Sequence, residues 1–306
     1  MSDIEKTADL LPGVAAPATG MQRRGPAPCA ACGSTPDNPG VPESPTSALL
    51  QGRYVYALGH VEARYPSLSV EKEFAQAAGR AETVGLTDPE VLAKLLSAKT
   101  NRYLARSVCW ILTIEGIETY VLTPRDSDDL DMLIASVRPA PRVSDLNVVI
   151  GRIGPPAAPS VCNGLSLHTV EFDQVFSFDI DSFIDAIPVP EGKSEKDFKP
   201  SVLSLFLRVL QMADNKGVND QHRALNYLAT RYPNIYHAAA ERHAHDFSLD
   251  RFEVLPSRLA RPRTIVDVVF SFRNRKTDVV DKLYARVDVS EEFPFLVSKL
   301  SPFFDR

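Results

Sequence analysis

The four cysteines are the residues of this chain that could take part in the most kinds of chemistry, because thiolates bind metals, form disulfides and act as nucleophiles. Cys29 and Cys32 are separated by two residues, a spacing typical of half of a tetrahedral zinc site. Zinc needs further ligands, and the other two cysteines stand singly at Cys109 and Cys162. An apolar stretch surrounds Cys109, which predicts an inert buried thiol, whereas Cys162 lies near a predicted loop. The zinc hypothesis therefore uses Cys29, Cys32 and Cys162.

Two other interpretations of the Cys29 and Cys32 pair remain open. A reduced, solvated pair on a flexible tether is the simpler one. Thioredoxin-like redox chemistry needs a strand before the motif and a helix after it, and prolines flank this pair instead. In a reducing compartment we expect all four cysteines to be free thiols or metal ligands rather than disulfides.

Histidines and acids form two further patterns. His237, Glu241 and His245 recur every four residues, so a helix would place them on one face, as a metal or acid/base cluster requires. Histidines near a helix C-terminus are also favoured by the helix dipole, and we prefer that surface interpretation. The acids of "DSDDLDM" (126–132) lack the ligand spacing of a calcium loop, which favours helix capping.

Catalytic motifs are absent from the sequence. It contains no Gly-x-Ser-x-Gly elbow, phosphate-binding glycine loop, His-Glu-x-x-His pair or dinucleotide fingerprint. An enzyme would have to assemble its site from scattered residues such as His168, Asp173 or His222. The charges of "VEARYPSLSVEKEF" (61–74) indicate a solvated salt-bridge face, and a peptide-docking rim would look similar.

The elements that would position these residues predict an α+β fold with mixed or antiparallel sheets and grouped helices. Residues 1–50 are rich in proline and glycine and contain no aromatic residue, so we predict a disordered tether. The breaker "GPPAAPS" (154–160) suggests a boundary between two lobes, residues 51–153 and 162–306. Within the first lobe, Glu115-Gly116 predicts a tight β-hairpin, and Thr87 with Glu90 predicts a helical capping box.

Charge and hydropathy exclude several classes of protein. The net charge is −5 with no basic stripe, which argues against a nucleic-acid partner. No apolar run reaches the length of a bilayer span, and the acidic N-terminus does not look like a secretory signal. We therefore expect a cytoplasmic protein without a membrane partner, in which homo-oligomerisation is open.

Long segments in a fixed order resemble the C-terminal accessory region of the PatA/PatG-type cyanobactin maturation proteins. The resemblance runs from Tyr54 to Arg306 and is much more specific than any short motif. "PCAACGS" (28–34) also resembles the linkers that precede this region in the family. The segments are "YVYALGHVEARYPSLSVEKEFAQAAGRAETVGLTD", "NRYLARSVCWILTIEGIETYVLTPRD", "CNGL" with "FDQVFSFDIDSFI", "QMADNKGVNDQHRALNYLATRYPNIY" and "EEFPFLVSKLSPFFDR".

This resemblance implies an accessory role in the maturation of ribosomally made peptides. In the family the region follows a subtilisin-like protease, whose aspartate, histidine and serine blocks have no match in this sequence. We therefore expect a non-catalytic protein that binds a precursor peptide or the maturation protease. Two alternatives stay open: an enzyme with an unrecognised site, and a zinc-stapled structural or oligomerisation domain.

Overall fold

The computed structural model of the chain describes residues 50–80, 85–190, 194–212, 214–259 and 262–304. It confirms the α+β class, with one mixed and one antiparallel sheet. The predicted tether lies outside the described residues except for Leu50, which packs against a buried cluster of the first sheet.

The first sheet is a closed five-stranded barrel. Its strand order is β1-β2-β3-β5-β4, and β4 pairs with β1 to close it. All pairs are antiparallel except β3 with β5, which is parallel. The strands are β1 (Tyr54–Arg64), β2 (Cys109–Ile114), β3 (Ile117–Leu122), β4 (Asp145–Pro156) and β5 (His168–Asp179).

Four helices pack against this barrel. The predicted capping box is present, because the Glu90 carboxylate accepts a hydrogen bond from the Thr87 backbone N–H at 2.7 Å. Asp126 caps the fourth helix by accepting from the backbone N–H groups of Asp128 and Asp129, as the capping interpretation of the acidic run predicts. The helices are α1 (Leu68–Arg80), α2 (Asp88–Ser97), α3 (Arg102–Ser107) and α4 (Ser127–Ser136), with a 3₁₀ turn at Lys99–Asn101.

The second half of the chain groups four helices with a four-stranded antiparallel sheet of order β6-β7-β8-β9. One buried cluster joins these helices, the inner face of this sheet and one face of β1, β4 and β5. The elements are α5 (Ile180–Ala186), α6 (Glu195–Leu210), α7 (Asp220–Arg231), α8 (Asn234–Ala244), β6 (Phe247–Pro256), β7 (Ile265–Asn274), β8 (Val280–Asp288) and β9 (Phe295–Pro302).

The predicted hairpin at Glu115-Gly116 is confirmed. Both residues have positive φ, 49° and 77°, as a two-residue hairpin turn requires. Alternation along β2 places Trp110 in the core shared with α1–α4, whereas Ile111 faces a smaller cluster that includes both Cys109 and Cys162. The two faces of β2 therefore contribute side chains to two different hydrophobic clusters.

The segment that we predicted as a boundary between lobes connects two strands of the same barrel. Strand β4 pairs with β5 from Asp145↔Asp179 to Pro156↔His168. Because β5 follows the predicted boundary, the first strand of the predicted second lobe completes the sheet of the first.

Helix α7 lies between the barrel and the second sheet, and polar contacts fix it there. Asn226 is fully buried and donates to the Tyr56 carbonyl at 2.7 Å. The hydroxyls of Thr230 and Tyr56 lie 2.7 Å apart. Buried polar groups with satisfied hydrogen bonds specify one docking geometry.

Candidate functional site

A β-bulge on β5 interrupts the regular pairing of this strand with β4. Gly151 pairs with Phe172 and Ile150 with Gln174, which leaves Asp173 as the extra residue. A bulge turns its side chain away from the regular alternation. A Cβ at Gly151 would lie 2.3 Å from the Glu171 carbonyl oxygen, so glycine permits the close approach of the two strands here.

Glu292 lies next to Asp173, in the loop between β8 and β9. Its residue is only 6% exposed, and its Oε2 lies 3.4 Å from Arg152 Nε. Burial, followed by the hydrogen bond and negative charge of Asp173, raises the pKa of Glu292 to about 7. A pKa of about 7 keeps Glu292 largely protonated below neutral pH, beside the carboxyl group of Asp173.

Asp173 stays ionised because cations surround it. Burial opposes ionisation, but hydrogen bonds from Glu292 and Arg125 lower the pKa of Asp173 overall. Arg125 Nη2 lies 2.7 Å from Asp173 Oδ1, and its Nε lies 3.0 Å from Asp129 Oδ2. The guanidinium of Arg125 therefore links the bulge to helix α4. We call Asp173 and Glu292 the carboxyl pair.

Arg223 of α7 holds the loop that carries Glu292. Its Nη1 donates to the Val289 carbonyl at 2.7 Å, and its Nη2 donates to the carbonyls of Glu291 and Glu292. The guanidinium also lies 5.2 Å from the ring centroid of Tyr54, a cation–π arrangement. Burial lowers the pKa of Arg223. One buried arginine thus donates to three backbone carbonyls of this loop.

Two carboxyl groups with separated pKa values can act as an acid and a base, or as a structural proton-sharing contact. Nearby, Arg125 lines a surface cavity of about 560 Å³ together with Trp110 and Cys109. Glu292 itself is not among the residues that line this cavity. The arrangement fits a structural contact between the barrel and the loop more directly than a reacting centre.

The structure does not bring the three scattered catalytic candidates together through any described hydrogen bond. The His168 Nδ1 lies 3.1 Å from the Gly154 carbonyl at the start of β5. His222 packs at the start of α7, where its Nε2 lies 3.2 Å from Asn219 Nδ2 and burial lowers its pKa. Asp173 contacts Arg125 and Glu292 instead.

The cysteines are arranged differently from our expectation. Cys109 and Cys162 form a disulfide with a Cα–Cα distance of 5.5 Å, which is ordinary for such bridges. A disulfide sulfur is not a thiolate ligand, so Cys162 is not available to zinc in this structure. Cys29 and Cys32 lie outside the described residues, and a metal site that includes them stays a prediction.

The remaining predicted patterns lie on the surface of α8 and β1. His237 Nε2 lies 2.9 Å from the Pro188 carbonyl, and His245 follows the last residue of α8 as its C-cap. Arg64 pairs with Glu62 and Glu118 on the exposed side of the barrel, as a salt-bridge face predicts. Within the described ranges, no group of three or more His, Cys, Asp or Glu side chains could hold a metal ion.

The two edge strands of the second sheet differ in how many of their outer backbone groups already have hydrogen-bond partners. Along β9, the backbone N–H groups of Leu296 and Leu300 donate to the hydroxyls of Tyr227 in α7 and of Tyr232, the C-cap residue of α7. Along β6, the Arg208 guanidinium donates to the carbonyl of Leu249. Among the described residues, no strand pairs with the outer edge of Arg251–Pro256.

Sequence patterns gave no indication of Glu292 or Arg223. Glu292 lies in a loop without periodicity, and an arginine in an amphipathic helix, such as Arg223, is ordinarily solvated. The one signal in the sequence concerns Arg223: its helix, α7, is highly polar, although the structure buries that helix on several sides. Separately, none of the described helices has the length and apolar character needed to cross a bilayer.

Comparison with known proteins places these features in context. Residues 192–303 match the family model described as PatG C-terminal. A solved structure titled "PatG Domain of Unknown Function" is similar to this chain with a TM-score of 0.64 and 20% sequence identity, over 82% of this chain and 99% of that one. No curated protein matches the sequence. The chain therefore contains a PatG C-terminal-like region.

Proposed function

We propose that this protein is a non-catalytic accessory factor that binds a precursor peptide during the maturation of ribosomally made peptides of the cyanobactin type. The match to the PatG C-terminal model, and the likeness to a PatG domain, support the pathway. A partner protease that presents an extended segment would use the same surface.

The observation that carries this proposal is the outer edge of β6. Edge strands expose backbone N–H and C=O groups that an extended peptide can pair with. The β9 edge is partly occupied by tyrosine hydroxyls, whereas Arg251–Pro256 pairs only with β7 among the described residues. Leu255 is 42% exposed beside this edge and offers an apolar contact. The edge of β6 thus provides both backbone pairing and a side-chain anchor.

Isothermal calorimetry with a cyanobactin-type precursor peptide tests the proposal. We expect saturable binding, and we expect Leu255→Glu to weaken it about tenfold or more, because a charge would be buried against the peptide. Val297→Glu on β9 is the matched control, since Val297 has similar exposure on the opposite edge. No heat with the precursor, or equal losses in both variants, would contradict binding at β6.

A second candidate function is acid/base catalysis by the carboxyl pair. The observation that favours it is the pKa of about 7 at Glu292 beside the ionised Asp173. Incubation of the precursor with this protein, followed by mass spectrometry, separates the two functions. A mass change that is abolished by Glu292→Gln would establish the enzyme and exclude the purely accessory role.

The zinc-stapled alternative is tested by elemental analysis of the purified protein. One zinc per chain that is lost in Cys29→Ser would support a structural metal. Zinc-free protein that still binds the precursor would favour the accessory function.

A further inference from the structure

The outer edge of β6 is limited at both ends. At the start of the strand, the Arg208 guanidinium of α6 donates to the carbonyl of Leu249 and, at 3.5 Å, to the carbonyl of Asp250. At the end of the strand, Pro256 has no backbone N–H to offer to a further strand. Between these limits, no second strand of the described ranges pairs with the outer side. We call residues 251–256 the open edge.

The hydrogen bonds to β7 establish which backbone groups of the open edge face outward. The Ser257 N–H donates to the Ile265 carbonyl of β7 at 2.9 Å. Backbone groups alternate in direction along a strand, and the pairing with β7 is regular throughout the open edge. The N–H and C=O groups of Phe252 and Val254 therefore face away from β7. Pro256 has the same phase, so its missing N–H costs the sheet no hydrogen bond.

The side chains with this phase form an apolar row on the inner face of the sheet. Phe252 and Val254 are only partly buried, and they pack against the core that the second sheet shares with its helices. Pro256 follows them on the same face and is exposed. A strand added beside β6 would therefore cover apolar surface as well as satisfy backbone groups.

The charges of the open edge cancel within one chain. Arg251 and Glu253 are its only charged residues, and Arg251 Nε lies 3.0 Å from Glu253 Oε1. Many edge strands carry unpaired charges that repel an incoming strand. Because the two charges of this edge neutralise each other, two such edges do not repel, although the whole chain has a net charge of −5.

The open edge is complementary to a second copy of itself about Val254. In an antiparallel arrangement centred there, the two Val254 residues face each other and exchange both N–H···O=C bonds. The Phe252 N–H meets the carbonyl of Pro256 in the second copy, which needs only to accept. The side chains of Phe252 and Pro256 also meet across the two-fold axis. The apolar row therefore continues from one copy into the other.

We propose that two copies of this protein pair antiparallel through the open edge, and that this pairing covers the strand that a precursor peptide would use. The interface goes beyond the proposed function, whereas its regulatory role rests on that function. One strand per copy gives a small interface, so we expect a weak, reversible dimer. A precursor peptide that pairs with β6 then shifts the equilibrium towards the monomer by mass action.

Analytical ultracentrifugation of the whole chain over a concentration series tests the pairing. We expect the mass to rise with concentration from 33.7 kDa towards twice that value. Val254→Pro removes an N–H that β7 does not use, so it should weaken dimerisation about tenfold or more through the lost hydrogen bonds. Circular dichroism of the variant shows whether the fold is retained.

A pair of cysteines tests the register without depending on the proline variant. In the proposed dimer Glu253 lies opposite Leu255 of the second copy, at a non-hydrogen-bonded position where side chains are close. The double variant Glu253→Cys, Leu255→Cys should therefore form a covalent dimer on oxidation, with positions 253 and 255 linked in a non-reducing peptide map. Leu255→Cys alone is the matched control, because the two Leu255 residues are diagonal neighbours about 7–8 Å apart, too far for a bridge.

The outcomes separate this interface from the proposed function. A mass of 33.7 kDa at every concentration without a link between positions 253 and 255 would overturn the dimer, and calorimetry with the precursor would still test peptide binding. Unchanged dimerisation in a folded Val254→Pro variant would also overturn it. Precursor binding that leaves the dimer intact would contradict the regulatory role. A dimer with the expected link but no precursor binding would retain the interface and contradict the proposed function.

Discussion

Glu292 shows how tertiary contacts alone can change the chemistry of one side chain. Its ordinary pKa of 4.5 rises to about 7 because it is buried beside an already ionised carboxylate. Asp173 is the partner that ionises because Arg125 contacts it directly. The proton is thus localised by the placement of the cations rather than by the intrinsic acidities of the two groups, which are similar.

The carboxyl pair predicts a pH dependence of the free energy of unfolding. Between about pH 4.5 and 7 the folded state keeps a proton on Glu292 that the unfolded state has lost, so stability falls as pH rises. Asp173, whose pKa is lowered, contributes stability that is lost only at acid pH. We expect a decrease on the order of 2 kcal/mol across this window in urea titrations.

Glu292→Gln is the corresponding variant. It retains the size and one hydrogen-bond donor of the protonated acid but cannot ionise. Its free energy of unfolding should change much less between pH 4.5 and 7. The same pH dependence in the variant and the natural protein would show that other groups cause it.

The residues of this site were predictable only in part. Asp173 is an acidic residue in a predicted strand. Because the sequence has no catalytic motif, Asp173 could be named only as one of three scattered catalytic candidates. Glu292 could not be identified, because its position depends on Arg223, a helix residue that is distant in sequence and holds the loop by its backbone carbonyls. Propensity and periodicity carry no information about such contacts.

At the scale of elements, Gly151 determines whether the bulge on β5 can form. The opposite strand approaches so closely that any side chain at this position would overlap the backbone of Glu171 and Phe172. Without the bulge, Asp173 would follow the regular alternation and leave the carboxyl pair. The pairing of β4 with β5 therefore determines whether the carboxyl pair can form.

Gly151→Ala should lower the free energy of unfolding by about 3 kcal/mol, the cost of forcing atoms into a packed region. Gly79→Ala in α1 is the control, because a Cβ there has no neighbour within 4 Å. That control should stabilise the protein by up to about 1 kcal/mol, since alanine favours a helix over glycine. Guanidinium denaturation measures both. A neutral Gly151→Ala would mean that the two strands separate readily.

The elements formed by local signals were predicted well. The hairpin at Glu115-Gly116 and the caps at Thr87 and Asp126 depend on residues close in sequence, where turn and capping chemistry decides the outcome. The parallel pairing of β3 with β5 was not predicted. It joins strands separated by α4 and β4, and neither strand carries a local signal of its partner.

At the scale of the whole molecule, the disulfide links one strand of the barrel to the connection between two others. Cys109 lies in β2, and Cys162 lies in the segment between β4 and β5, 53 residues away. That segment was predicted as a lobe boundary because prolines and glycine end local structure. The same residues can also connect two paired strands, and the sequence cannot distinguish these outcomes.

Reduction of the disulfide should destabilise the oxidised protein. Closing a loop of 53 residues stabilises a fold by about 4 kcal/mol in the chain-entropy treatment. We expect dithiothreitol to lower the thermal midpoint of the natural protein but not that of a Cys109→Ser, Cys162→Ser double variant. A non-reducing peptide map should show the two cysteines linked. Identical midpoints with and without reductant would argue against the bridge.

The tyrosine hydroxyls along β9 also limit how copies of this protein could assemble through their sheets. Leu296 and Leu300 already donate their amides to Tyr227 and Tyr232, which leaves β6 as the more available side. Two molecules joined by β6 against β6 would form a closed, two-fold symmetric dimer. Such a pair could not easily add a third member, so the asymmetry of the edges would disfavour growth into open-ended fibrils.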